Sequence, residues 1–130
     1  MLKIALTSVL VDDQDKAEKF YTDTLGFEKK QDFAVGGARW LTVATSRENE
    51  GTELLLEPVG YDFARHYQKA LYEADIPAAS FATDDIRADY ERLSAKGVRF
   101  RGEPTKMEGF PATALFEDRC GNLIQIFETQ

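Results

Sequence analysis

The sequence predicts an α+β protein of two tandem βαβββ modules whose strands form a cupped, mostly antiparallel sheet. Three observations carry this reading. Two stretches match along the chain, with Asp13 and Asp85 72 residues apart and Gly26 and Gly97 71 apart. In each, an apolar or small-residue run ends in Asp-Asp, apolar residues follow at helical spacing, and a glycine closes the segment. One helix per module covers only one face of its strands, so the other face must be buried elsewhere or used as a binding surface.

The first strand runs up to Val11, with Leu6, Ser8 and Leu10 on one side and Thr7, Val9 and Val11 on the other. Asp12-Asp13 then supplies a side-chain acceptor for the free N–H groups of a helix start. Ala17, Phe20, Tyr21 and Leu25 give the apolar stripe of a helix over 14–25, and Gly26 suits the left-handed position that ends it. Strands follow over 27–33, 39–45 and 52–58, joined at Gly36-Gly37 and at Glu48-Asn49-Glu50-Gly51. A linker helix is expected near 62–75, with Phe63, His66, Tyr67, Ala70, Leu71 and Ala74 on one face, and Pro77 stops it. In the second module a helix over 86–96 starts at Asp85, presents Ile86, Tyr90 and Leu93, and stops at Gly97. Strands over 98–101, 112–117 and 122–128 complete it, with a turn at Asp118-Arg119-Cys120-Gly121. The expected organisation is a single domain, 1–130, made of a first module over 1–60, a linker helix over 61–76 and a second module over 77–130.

Composition limits the function classes. A chain of 130 residues, 43% hydrophobic and 30% charged, matches one soluble domain with its own core. Sixteen basic residues against twenty-three acidic ones give a net charge of −7. The densest basic stretches, Lys29-Lys30 and Arg99 to Arg101, are too short for a nucleic-acid backbone. No apolar run approaches the ~18 residues of a membrane span, and the N-terminal stretch lacks the features of a secretion signal. With one cysteine, Cys120, an intrachain disulfide is excluded. A cytoplasmic protein is expected, without nucleic-acid or membrane partners.

Three segments, LVDDQDKAEKFYTDTLGF from Leu10, GTELLLEP from Gly51 and DRCGNLIQIF from Asp118, resemble the vicinal oxygen chelate superfamily. That superfamily comprises glyoxalase I, bleomycin-resistance proteins and extradiol dioxygenases. The resemblance spans nearly the whole chain and implies paired βαβββ modules, often assembled as a homodimer. In the family's enzymes, His and Glu side chains on the concave strand faces hold a divalent metal. Carried over by the repeat, those positions are Leu6, Leu55, Ala79 and Gln125. Leucine and alanine donate nothing and one neutral amide cannot hold a metal, so neither a metal site nor another cofactor is expected.

Strand parity gathers the remaining candidates. Ser8, Trp40, Thr42, Leu55, Glu57, Phe81 and Gln125 are expected to line an apolar cup with a few polar anchors. Glu53 and Glu57 share the parity of Leu55; Glu57 is the candidate counter-charge, and Glu53, near the Gly51 turn, is expected to be solvated. His66, the one histidine, belongs to the linker helix, and Cys120 to a turn. The sequence therefore points to a protein that binds a small molecule in the cup. The alternative is a lyase, isomerase or dioxygenase-like enzyme using an unusual metal or a Glu53/Glu57 acid–base pair.

Overall fold

The computed structural model describes residues 1–46 and 51–129, so most of the turn expected at Glu48-Asn49-Glu50-Gly51 lies outside the described residues. The chain falls into two compact units, Met1–Arg65 and His66–Gln130. The fold is α+β and mostly antiparallel, with the described strands in two sheets.

In the first unit, β1 (Leu6–Val11), β4 (Glu53–Pro58), β3 (Ala38–Ala44) and β2 (Glu28–Val35) lie in that order across a four-stranded sheet. β1 runs parallel to β4; the other pairings are antiparallel. Helix α1 (Gln14–Lys19) starts where expected, the Asp13 carboxylate accepting the Lys16 N–H at 3.0 Å. It continues as a π-helical turn over Phe20–Thr24, and Gly26 takes a φ of 92°. Ala17, Phe20 and Tyr21 are buried, as are Val9, Val11, Leu41, Val43, Leu54 and Leu56 on the facing sheet surface. Gln14 locks this contact by donating to the carbonyls of Arg39 and Leu56 and accepting the Arg39 N–H.

Outside that apolar layer, Arg39 bridges helix and sheet through Asp15, Glu18 and Asp32. Its guanidinium, with Lys29 beside it, lowers the Asp32 carboxyl to about 2 and holds Glu18 below its ordinary value. Both depressed carboxyls favour the folded state above the unfolded pKa near ~4 and lose that advantage as pH falls toward about 2. The pairs are solvent-accessible, the Asp15 one most of all, and each is worth under about 1 kcal/mol. Urea unfolding at pH 6 and pH 3 should show stability falling with acid in the native protein. Arg39→Met should flatten part of that slope; an unchanged slope would remove the network from the account.

The second unit repeats the plan with one loss. β5 (Ala79–Thr83), β7 (Leu123–Glu128) and β6 (Thr113–Glu117) form a sheet in that order, β5 parallel to β7. Helix α3 (Ile86–Ala95) is capped by Asp85, which accepts the Ala88 N–H at 3.0 Å, and Gly97 follows at a φ of 88°. The strand expected over 98–101 is reduced to isolated bridges beside β6, Phe100 to Phe116 and Thr105 to Thr113. Gly102 and Pro104 lie between the bridges, and proline has no N–H to continue a ladder.

Helix α2 (Asp62–Glu73) forms where expected, with most of its apolar face turned outward. Phe63 is 72% and Tyr67 61% exposed, and His66, Ala70 and Ala74 are exposed too. Its inward positions are Ala64 and Gln68, with Leu71 and Tyr72 half-buried. The Gln68 amide donates to the Cys120 carbonyl at 3.0 Å and to Asn122 Oδ1 at 3.2 Å. Satisfying buried acceptors outweighs burying two more rings, which rotates the helix away from its most apolar face.

Candidate functional site

Strand register defines the helix-free face of the first sheet. Cα partners across a sheet share a face, so Ser8 pairs with Leu55 and Leu55 with Thr42, while Leu6 pairs with Glu53 and Leu10 with Glu57. Trp40 stands two residues before Thr42 and pairs with Phe33. Five of the candidates, Ser8, Trp40, Thr42, Leu55 and Glu57, therefore lie on one face, opposite the surface that packs on α1. Thr42 and Leu55 are buried in its floor, and Trp40 is half-buried. The Phe33 ring lies against the Trp40 indole, centroids 6.3 Å apart and planes 23° apart, and Phe33 is 51% exposed.

The carboxylate built into this face is Glu53, not Glu57. Glu53 Oε1 accepts the Thr42 hydroxyl at 2.6 Å and the Gln31 side-chain amide at 2.7 Å. The Thr42 hydroxyl also accepts the Gln31 backbone N–H at 3.1 Å, which fixes its proton toward Glu53. These bonds, the Thr42 one first, hold the Glu53 carboxyl below its ordinary value, aided by the charge of Lys30 and opposed by partial burial. Glu57 is exposed beside Pro58 at the strand end. Strand parity placed both carboxylates on this face, but the cross-strand partners that distinguish them lie 11 and 22 residues away.

In the second unit, Ser80, Gln125 and Leu115 form one row, and the Ser80 hydroxyl donates to Gln125 Oε1 at 2.9 Å. Gln125 lines a cleft of about 220 Å³ with Arg101, Thr105, Thr113 and Leu115. Arg101 is held at its rim by Asp75 at 3.0 Å and Glu117 at 3.5 Å, over the ring of Tyr72. Phe81 is a correction. It pairs with Ile126 on the opposite face from Gln125, with the buried Ala114, Ile124 and Phe116. Ala79 shares that face, pairing with Ile124. Ser80 is the residue the sequence reading missed; its signal is the 72-residue offset from Ser8.

The donor chemistry on these faces does not fit the divalent metal of the fold family. The paired positions offer Leu6 with Glu53, Ser8 with Leu55, and Ser80 with Gln125. One carboxylate with neutral hydroxyls and an amide falls short of the three or more good donors a catalytic ion requires. Among the described residues no three His, Cys, Asp or Glu side chains come together to hold a metal. His66 is exposed on α2, and Cys120 is buried in its turn. Among the described residues no helix is long and apolar enough to cross a membrane.

Known proteins place this geometry. The family model for the Glyoxalase/Bleomycin resistance protein/Dioxygenase superfamily matches residues 3–126. YurT of Bacillus subtilis (strain 168), described only as uncharacterised, is 49% identical over 127 residues, covering 98% of this chain and 99% of its own. The crystal structure of UcmS2 superposes with a TM-score of 0.85 at 34% identity, over 99% of both chains. TnmS3, an antibiotic binding protein from Streptomyces sp. CB03234, superposes with a TM-score of 0.75 at 29% identity, over 100% of this chain and 98% of its own. With the match running almost end to end and the paired strand–helix pattern in both units, this chain belongs to the Glyoxalase/Bleomycin resistance protein/Dioxygenase superfamily.

Proposed function

We propose that this protein binds a small organic molecule on the helix-free face of its first sheet, without the metal chemistry of the family's enzymes. The observation that carries this reading is the half-exposed Phe33–Trp40 ring pair beside the Glu53–Thr42–Gln31 network. A mostly apolar surface with a few fixed polar groups is what ligand sites offer. The likeness to TnmS3, described as antibiotic binding, supports the same reading. The alternative, acid–base catalysis by Glu53, is disfavoured by its own bonds. A carboxyl held ionised by two donors is a poor general acid and a weakened base near neutral pH.

The protein acts in the cytoplasm as a single two-module domain and assembles as a homodimer. Leu2, 98% exposed, and Ile4, 81% exposed, precede the edge strand β1 and support a partner surface there.

Two measurements test the function. Titration with a panel of aromatic small molecules and antibiotics should change the emission of Trp40, the sole tryptophan. In parallel, methylglyoxal and glutathione with added nickel or zinc should give no turnover above the buffer rate. Chelator-sensitive turnover, or ligand binding that leaves Trp40 emission unchanged, would overturn the reading.

A further inference from the structure

The bare oxygen of Glu53 narrows the ligand class, an inference that rests on the binding function proposed above. Both hydrogen bonds to this carboxylate end on Oε1. Among the described residues Oε2 accepts none, although Glu53 is only half-buried and faces the same side as Trp40. An ionised carboxylate has about four acceptor sites, so unused capacity remains on the oxygen that its neighbours leave alone. The donors on Oε1 also orient the group: Thr42 is buried and held by the Gln31 backbone, and Gln31 approaches from β2.

Beside this charge stands a ring platform. Trp40 and Thr42 are two residues apart on β3, about 7 Å along the strand. That is the scale of two or three fused rings. A flat ligand lying on the indole can therefore reach the neighbourhood of Glu53 with an edge substituent. Lys30 acts on Glu53 only through its charge, and among the described residues no side chain donates to Oε2. The second unit offers the contrast: Gln125 and Ser80 are neutral and already paired with each other, and the Arg101 charge is met by Asp75 and Glu117.

We propose that the first-unit face selects planar aromatic cations, the ring stacking on Trp40 and Phe33 and an N–H donating to Glu53 Oε2. A cation over an indole face and a charge-assisted hydrogen bond both reward a positive, flat ligand and both penalise an anionic one of the same shape.

Two three-ring probes of opposite charge test it: 9-aminoacridine, cationic with N–H donors, and anthracene-9-carboxylate, an anion without them. Calorimetric titration gives affinity, and the single indole N–H resonance reports on Trp40. The expected result is 9-aminoacridine binding at least about tenfold tighter than the anion, with a shift of the indole signal. Glu53→Gln should weaken 9-aminoacridine about tenfold and leave the anion unchanged or tighter. Glu73→Gln, which removes the same charge from α2, should change neither. Trp40→Leu should weaken 9-aminoacridine by more than it weakens the anion, a test of the ring platform that does not depend on the folding of the Glu53 variant. If both probes bind equally, or Glu53→Gln spares 9-aminoacridine, the ligand class is wrong while the binding face stands. If 9-aminoacridine binds without moving the indole signal, the face itself falls. If neither probe binds at about 1 mM, the cation proposal is overturned, whatever the wider panel shows.

Discussion

Phe116→Ala is expected to lower the unfolding free energy by about 3–5 kcal/mol, the range for deleting a buried aromatic ring. Phe116 lies in β6, is 1% exposed, and faces the α3 side of its sheet. Its ring meets Phe100 at 5.5 Å, and Phe100 meets Tyr90 of α3 edge-on at 4.8 Å. The three rings form a chain from sheet to helix through the segment that failed to become a regular strand. Removing the sheet end of that chain leaves a cavity that Phe100 fills only by giving up its bridge to residue 116. Urea unfolding followed by far-UV circular dichroism checks it. A loss below about 1.5 kcal/mol would mean the site collapses without cost, and the ring chain would not be a core element.

Asp118→Ala should be nearly as damaging, at about 3 kcal/mol, though no apolar contact is at stake. The Asp118 side chain is fully buried, and its carboxylate accepts the N–H of Cys120 at 2.8 Å, the N–H of Asn122 at 3.0 Å and the Asn122 side-chain amide at 2.8 Å. Alanine leaves buried donors without their acceptor, and each such group costs about 1–3 kcal/mol. The same turn holds Arg119 at a φ of 65° and Gly121 at 99°. A Cβ at Gly121 would lie 2.8 Å from the Gln68 amide, so the turn, its glycine and the clamp from α2 depend on one another. Asp118→Asn separates the contributions. It keeps one acceptor oxygen for the backbone donors but sets an amide against the Asn122 amide, and should fall between native and alanine. If the alanine variant unfolds within about 0.5 kcal/mol of native, water replaces the carboxylate, and the turn is not a stability element.

Helix placement was legible because its causes are local. Asp13 and Asp85 cap the helices they precede, and Gly26 and Gly97 take the positive φ that ends them. These are short-range hydrogen bonds and backbone torsions, written within a few residues. Alternation along β1, β3 and β4 was legible for the same reason, and it placed Ser8, Trp40, Thr42, Leu55 and Glu57 on one face.

Failures came where distant groups compete. A stripe-based reading buries Phe63 and Tyr67, but the buried Cys120 carbonyl 52 residues beyond Gln68 claims that face of α2. Phe81 and Gln125 looked like neighbours in a shared cup, but pairing of β5 with β7 sets Ser80 opposite Gln125 and turns Phe81 to the other side. Parity within a strand gives two faces without saying which one a partner strand shares; a shift of one residue exchanges them.

The sequence by itself determined the duplicated plan, the helix starts and stops, and the acidic balance. Those follow from residue identity and from interactions within a turn or two. Only the tertiary structure decided which carboxylate matters. Glu53 and Glu57 have the same parity, the same strand and the same chemistry, and differ in what lies across from them. Thr42 and Gln31 reach Glu53 because antiparallel register brings β3 beside β4 and β2 beside β3, and no local pattern along the chain specifies that register.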